Sequence, residues 1–517
     1  MTGTIGVTPV RAQEPTQRPD TAPTTPPVGE MIQIELPTPL TLAQAIDLAL
    51  ILQPNLVSAT ANRQRSEAQQ TGVQAQYLPR LTPTYSYLNQ FTFGTVNQFI
   101  PGSGVVVPVQ QGTTREIKQA QIGLSYRLID NGVRELNARQ ARQSLRAARF
   151  SEENTRQTVI ANVADTYFAV LRTEALVVVS RAQVERAKNT RDVVQAQVEV
   201  GVTAQKDIFQ AEADYLNAQV NLLQAEVNAD VAQANLKNAI GLVGGEPLQL
   251  ADVPAPTPET PVSVQVEGLK PTAFTPPVRQ DVETLALLTD AAYQIRPDIA
   301  QQNQNVEAQK TQVKISQANA GFQFTTDIQA AEQLDPNHFD RSIGRNRQFN
   351  LNLSYPLFDG GLVRSQVRAN RANVQQGEAQ LASLKQQIAV EVEQAYRNLL
   401  QARAALPAAQ AAQRAAQINF DAALESQKEG VGSIVEVITA QTSLVQAQTN
   451  YVQAVFNFYA ADARLARAVG QADRIAGIGQ SANDPTANDP TTNPTGTAPA
   501  VPAAPTGPSG PTGTTLP

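Results

Sequence analysis

Leu124-Ser125-Tyr126-Arg127-Leu128-Ile129-Asp130-Asn131-Gly132 returns 229 residues later as Leu353-Ser354-Tyr355-Pro356-Leu357-Phe358-Asp359-Gly360-Gly361. Each copy begins as an alternation of apolar and polar side chains, the period of a strand with one apolar face. The first ends in Asp-Asn-Gly and the second in Asp-Gly-Gly, residues that turn a chain. Residues 133–200 and 362–429 then hold a single proline, Pro407, and are rich in Ala and Gln. Val159, Val163, Tyr167, Val170 and Leu171 form a helical stripe, echoed by Ile388, Val392, Tyr396, Leu399 and Leu400. A helix of about 68 residues extends ~100 Å, deeper than any globular domain. A strand that hands over to such a helix, written twice, decides the fold.

The same offset pairs Tyr167 with Tyr396, Leu171 with Leu400, Gly201 with Gly430 and Gly241 with Gly470, so 118 residues repeat without a gap. Further upstream, Gln53-Pro54-Asn55-Leu56 matches Arg296-Pro297-Asp298-Ile299 at an offset of 243. The difference of 14 residues falls between residues 78 and 124, where the first copy has a Gly-, Pro- and Val-rich stretch, 96–112. Five segments are expected: a disordered leader (1–37), a first repeat (38–246), a Pro-rich linker (247–280), a second repeat (281–472) and a disordered Pro/Thr-rich tail (473–517). Val10-Arg11-Ala12 before Gln13 also resembles the end of a secretory signal. Each repeat has one grammar: helix, strand pair, very long helix, helix. Thr41 with Gln44 has the spacing of a capping box for the first helix.

Leu81, Pro83, Tyr85, Tyr87, Phe91 and Phe93 share one strand face, and Ala120, Ile122, Leu124, Tyr126 and Leu128 share another. Phe322, Phe324, Thr326 and Ile328 alternate likewise, as do Phe349, Leu351, Leu353, Tyr355 and Leu357. Of the 26 Phe and Tyr residues, 13 fall within 77–128 and 320–359, less than a fifth of the chain. Rings crowded on strands are what a membrane barrel needs at the headgroup level. Four strands cannot close around a lumen, and open edges are not tolerated in lipid. Several chains must pool their strands: two would give eight and three twelve.

No apolar run approaches the ~18 residues of a membrane helix. The net charge of −6 gives no reason to expect nucleic acid. With no cysteine and one histidine, His338 in a turn-rich stretch, there is no material for a thiol nucleophile or a His/Cys metal cluster. No phosphate-binding or dinucleotide motif occurs, and neither cofactor nor metal is expected.

Gly201-Val202-Thr203 and Gly430-Val431-Gly432-Ser433 break the long helices, and a second helix follows each, from Asp207 to about Ile240 and from Ile434 to about Val469. Each pair is an antiparallel hairpin with its tip far from the strands. The tips, Glu199-Val200-Gly201-Val202-Thr203-Ala204-Gln205-Lys206-Asp207 and Glu429-Gly430-Val431-Gly432-Ser433-Ile434-Val435-Glu436-Val437, resemble those of the TolC-type outer membrane efflux proteins. So do the Leu-Ser-Tyr-x-Leu-x-Asp-x-Gly segments, and the resemblance spans residues 38–472.

The resemblance implies a mainly α protein with a membrane β-barrel: a homotrimer whose twelve strands span the outer membrane and whose helices cross the periplasm. A mixed belt near the middle of the tunnel would hold the linker. It also implies an exit duct for efflux or type I secretion, opened by a periplasmic adaptor and an inner-membrane transporter. The resemblance carries Asp207 and Glu436 over as gate residues, and Gly201, Val202, Thr203, Gly430 and Val431 as the segment that adaptors grip. The family's partners for Asp207, a Tyr and an Arg, are Gln427 and Gly432 here. A gate without that lock is expected to rest on Val202, Val431, Ile434 and Val435. The competing reading is a structural or adhesive periplasmic coiled-coil protein, which leaves the strands without a purpose.

Overall fold

The computed structural model describes residues 38–478, apart from 100, 103, 105, 245–246, 258–259, 268–281, 335–341 and 430. The leader, most of the tail and His338 lie outside the described residues. The first repeat contains α1 (Leu42–Leu52), α2 (Pro54–Gln74), β1 (Arg80–Phe99), β2 (Val106–Ile129), α3 (Val133–Glu199) and α4 (Gln205–Ile240). The second contains α5 (Val282–Ile295), α6 (Pro297–Ala318), β3 (Gln323–Leu334), β4 (Ser342–Ser354), α7 (Leu362–Lys428) and α8 (Ile434–Val469). The capping box at Thr41 and Gln44 is formed. Among the described residues, no single helix is long and apolar enough to cross a membrane.

The strands form one antiparallel sheet in the order β1-β2-β3-β4. Its register puts the four apolar sets on a single face. Leu81 stands opposite Leu124, Leu124 opposite Ile328, and Ile328 opposite Phe349. One rung nearer the helices, Tyr126, Thr326 and Leu351 stand in line. Leu81, Phe349 and Leu351 are each more than half exposed, so an apolar face lies open across the whole sheet.

Three details differ from the sequence reading. A register shift between Arg127 and Ile129 puts Ile129, not Leu128, opposite Phe324; such an extra residue inverts the parity of the strand beyond it. β4 ends at Ser354, because Pro356 has no N–H for a ladder. Tyr355 therefore leaves the strand and stacks on Phe322, ring centroids 4.3 Å apart, and Leu357 lies beyond the sheet. The Gly-, Pro- and Val-rich stretch also carries strand, since β1 and β2 stay paired from Arg80↔Ser125 to Phe99↔Val106. The first hairpin thus reaches well beyond the 12- and 13-residue strands of the second.

Strand passes to helix through two successive left-handed residues in each repeat, Asn131 and Gly132, then Gly360 and Gly361. The aspartate before each pair caps the helix. Asp130 accepts from Arg134 N–H, and Asp359 accepts from Gly361 and Val363 N–H at 2.8 and 2.9 Å. α3 and α7 then run 67 residues each.

Most of the apolar burial sits in a belt at mid-helix. Both stripes are buried there, with Tyr167, Val163, Leu399 and Val392 at 2% exposure or less. Phe168 stacks on Tyr459 at 5.3 Å. Leu248 and Val264 of the linker pack in the same core, and Leu40 pairs with Leu250 as a parallel bridge. The tail starts later than residue 473: a 3-10 turn, Ala472–Gly477, buries Ile475, and Ile478 follows it into the core.

The duplication extends to single hydrogen bonds. Gln53 Nε2 donates to Ala239 O at 2.8 Å, and Arg296 Nη1 donates to Ala468 O at 2.9 Å. Both donors stand at the joint between two short helices, ahead of a proline at the first position of the next. Both acceptors are orphan carbonyls at the end of the returning helix.

Asp462 on α8 is 2% exposed. Its carboxylate accepts from Ser263 N–H at 3.1 Å and from Ser263 Oγ at 3.0 Å, which ties the linker to the belt. Burial pushes its pKa up to about 6 against the bonds from Ser263 and the charge of Arg403. A raised value means that the stabilising effect of the protonated form is complete below the ordinary carboxylate range. It is lost as pH rises through about 6.

Two outcomes are expected. Cysteines at Phe349 and Leu351 should resist water-soluble thiol reagents in membranes while those at Asn350 and Asn352 react; the opposite pattern would invert the faces. Asp462→Asn should melt close to wild type at pH 3 and higher than wild type at pH 8, since ionising the buried acid costs on the order of 3 kcal/mol. A melting temperature below wild type at pH 8 but not at low pH would show that attraction to Arg403 outweighs desolvation.

Candidate functional site

The hairpin tips lie at the far ends of the long helices. Val202 N–H donates to Gln197 O at 2.9 Å and Val431 N–H donates to Ser426 O at 3.0 Å. These repeat-equivalent bonds close each helix as a Schellman end. Gly201 supplies the left-handed residue, φ +78°; its repeat mate Gly430 lies outside the described residues. Ser433 then caps α8, its side chain accepting from Val435 N–H at 3.3 Å.

Asp207 and Glu436 are repeat mates, each at the third position of its returning helix. An acid in the first turn is stabilised by the helix dipole. Asp207 is partly exposed and Glu436 exposed. Among the described residues neither carboxylate takes part in an ion pair of this chain.

The tips are joined by neutral groups. Gln427 Nε2 donates to Gln197 Oε1 at 2.9 Å, and Thr203 Oγ1 donates to the same oxygen at 3.2 Å. Gln427 is buried although it is polar. A side chain at position 432 would bring its Cβ to 3.0 Å from Ser426 Cβ and Gln427 N, so an arginine there would need the end of the preceding helix to give by a few tenths of an ångström. Above these amides Val194, Ala211 and Ile434 form a small apolar node with Val198, Ile208 and Ile438 around it. Of the four residues expected to pack the gate, Ile434 is buried. Val202, Val431 and Val435 are 73%, 85% and 59% exposed within the single chain. The amide network joins residues some 230 apart in sequence with no motif of its own, and the sequence reading missed Gln197 altogether.

The whole arrangement has known counterparts. Residues 45–242 and 288–471 match the family model "Outer membrane efflux protein". The chain belongs to this family. Protein CyaE of Bordetella pertussis is 25% identical over 366 residues, 69% of this chain and 68% of CyaE. The CmeC outer membrane channel of Campylobacter jejuni aligns with a TM-score of 0.66 at 17% identity, covering 83% of this chain and 86% of CmeC. The open state of the MtrE outer membrane channel of Neisseria gonorrhoeae gives 0.64 at 19% identity, over 83% and 89%. Family and fold are those of channels, and the chain is an outer-membrane efflux protein.

A fully buried Ile or Val stabilises by about 1.5–3 kcal/mol, so the tip node is a minor store beside the belt. Truncating Ile434 to Ala should cost about 2–5 kcal/mol and raise amide exchange in both tips. Asp207→Ala should leave exchange unchanged. If Asp207→Ala loosened the tips as much as Ile434→Ala, Asp207 would have a charged partner on another chain.

Proposed function

We propose that three copies assemble into a twelve-stranded barrel continued by a helical tunnel, a passive exit duct that performs no chemistry on its cargo. The carrying observation is the sheet: four strands, two unpaired edges in β1 and β4, and one open apolar face. Such a sheet survives in hydrocarbon only when its edges pair with neighbouring copies. A coiled-coil scaffold in the periplasm would have no use for that face.

In this reading the tips meet around the axis, and Asp207 and Glu436 of each chain ring the closed end, where acidic rings favour cations. Gly201, Val202, Thr203, Gly430 and Val431 form the surface that a periplasmic adaptor grips. Exposure of Val202 and Val431 supports this, because apolar side chains at a tip invite a partner. An inner-membrane transporter then delivers small molecules or, as in type I secretion, proteins to the opened end.

The test is the mass of the full-length protein in mild detergent together with its conductance in planar bilayers. A trimer that conducts is expected, with block by multivalent cations from the tip side that weakens in Glu436→Gln. A stable monomer, or a protein that never conducts, would return the chain to the scaffold reading. Equal block in both proteins would remove Glu436 from the aperture.

A further inference from the structure

The outward face of the sheet is apolar only to a definite height. From the helical end, the rungs of Tyr126-Thr326-Leu351 and Leu81-Leu124-Ile328-Phe349 carry no charge. The next rung ends on Arg347, opposite Ala330, and the one beyond it aligns Tyr85, Ala120, Glu332 and Arg345. Lys118 follows opposite Tyr87, its ammonium 6.0 Å from the ring centroid. Glu116, opposite Asn89, closes the series on the outer side.

This height is meaningful. Glu332 stands ten residues along the strand direction from Phe322, which stacks on Tyr355 at the helical end of the face. With a rise of about 3.4 Å per residue and a tilt of about 40°, that distance is about 25 Å across the membrane, the height of a barrel's apolar band. Phe322 and Tyr355 then occupy one aromatic girdle, and Tyr85 and Tyr87 the other. The charged rungs fall at the headgroups of the leaflet farther from the helices, the outer one.

Charge there is unbalanced. Arg345 and Arg347 are exposed, and among the described residues they and Lys118 share these rungs with one acid, Glu332, which Arg345 meets at 3.3 Å, Glu116 standing one rung beyond. A shallow hollow of about 670 Å³ lies over the small side chains Ala120 and Ala330, walled by Tyr85, Ile122, Glu332, Arg345 and Arg347. Guanidinium groups match phosphate oxygens in geometry and charge, and the wall below them is apolar enough for an acyl chain.

We propose that Arg345, Arg347 and Lys118 form a binding site for the phosphate groups of an outer-leaflet lipid, whose acyl chains lie along Ile122 and the apolar rungs beneath. The site rests on the membrane placement given above. It anchors each chain in the headgroup layer, at one height around the barrel.

Native mass spectrometry of full-length trimers in detergent tests it, with bisphosphorylated lipid A and its dephosphorylated form as probes. Wild type should retain the phosphorylated lipid preferentially. The double variant Arg345→Gln/Arg347→Gln should hold it about thirtyfold more weakly, as expected for two basic groups near anionic headgroups. Arg115→Gln, which lies on the opposite face of β2 across from Gln90, should bind as wild type. Trimers that take both lipids equally would overturn the site while leaving the channel reading intact, whereas failure to form trimers would strike that reading itself. An equal loss in Arg115→Gln, or displacement of the lipid by millimolar inorganic phosphate, would also overturn it. Since the dephosphorylated lipid leaves the protein unaltered, the comparison holds even if the double variant folds poorly.

Discussion

A backbone N–H or C=O that faces hydrocarbon without a partner costs several kcal/mol, and this chain presents two whole rows of them. β1 and β4 are the edges of the sheet, and among the described residues no fifth strand covers them. Soluble proteins blunt such edges with charge, proline or a covering helix. Here the face beside the edges is apolar and open, so the remedy we propose is a second copy of the same edge pair. Closure by neighbours would in turn bring the long helices into parallel register below the barrel. They need that company, since 67-residue helices with modest buried stripes cannot stand alone.

The belt at mid-helix is what makes each chain a unit before assembly. Tyr167, Phe168, Phe458 and Tyr459 interlock there, and three polar contacts draw the linker and the chain ends inward. The Tyr167 hydroxyl lies 3.1 Å from both Leu40 O and Ala251 O, Tyr459 donates to Pro254 O at 2.6 Å, and Asp462 holds Ser263. Gln53 and Arg296 close off the returning helices just beside it. Duplication explains why a single design serves both halves: each repeat leaves the same carbonyls unpaired, so each carries a donor at the same joint. Arg296 does more than its mate, since it also binds Asp298 and Glu391 at 2.8 Å each.

Much of this was legible because period and repetition are local signals. The strand faces follow from a period of two, and the pairing register confirms their common side from Leu81 across to Phe349. Helix ends were legible because glycine stops them at the same place in both repeats. Leu128 and Tyr355 were misplaced for reasons that period alone does not carry, one extra residue and one missing N–H. The belt's polar ties were hidden for a different reason. A buried aspartate such as Asp462 looks like any helical acid until its neighbours are known, though its setting in Phe458-Tyr459-Ala460-Ala461-Asp462 is unusually apolar. At the tips the acids were visible and the amides were not, because Gln197 and Gln427 belong to no spacing rule.

That difference bears on how such a tip can open. A charged lock holds through bonds worth about 1.5–3 kcal/mol each, while neutral amide bonds contribute about 0.5–1.5 kcal/mol. Gln197, Thr203 and Gln427 make the weaker kind, and the apolar node above them contains only three buried side chains. The elements that move in a protein are drawn from its least stable parts. Here apolar burial falls along each long helix from the belt to the tip, and Gly432 offers no side chain for a stronger lock. A partner that grips the exposed Val202 and Val431 therefore has little internal bonding to overcome, and the belt, far from that contact, has no need to yield.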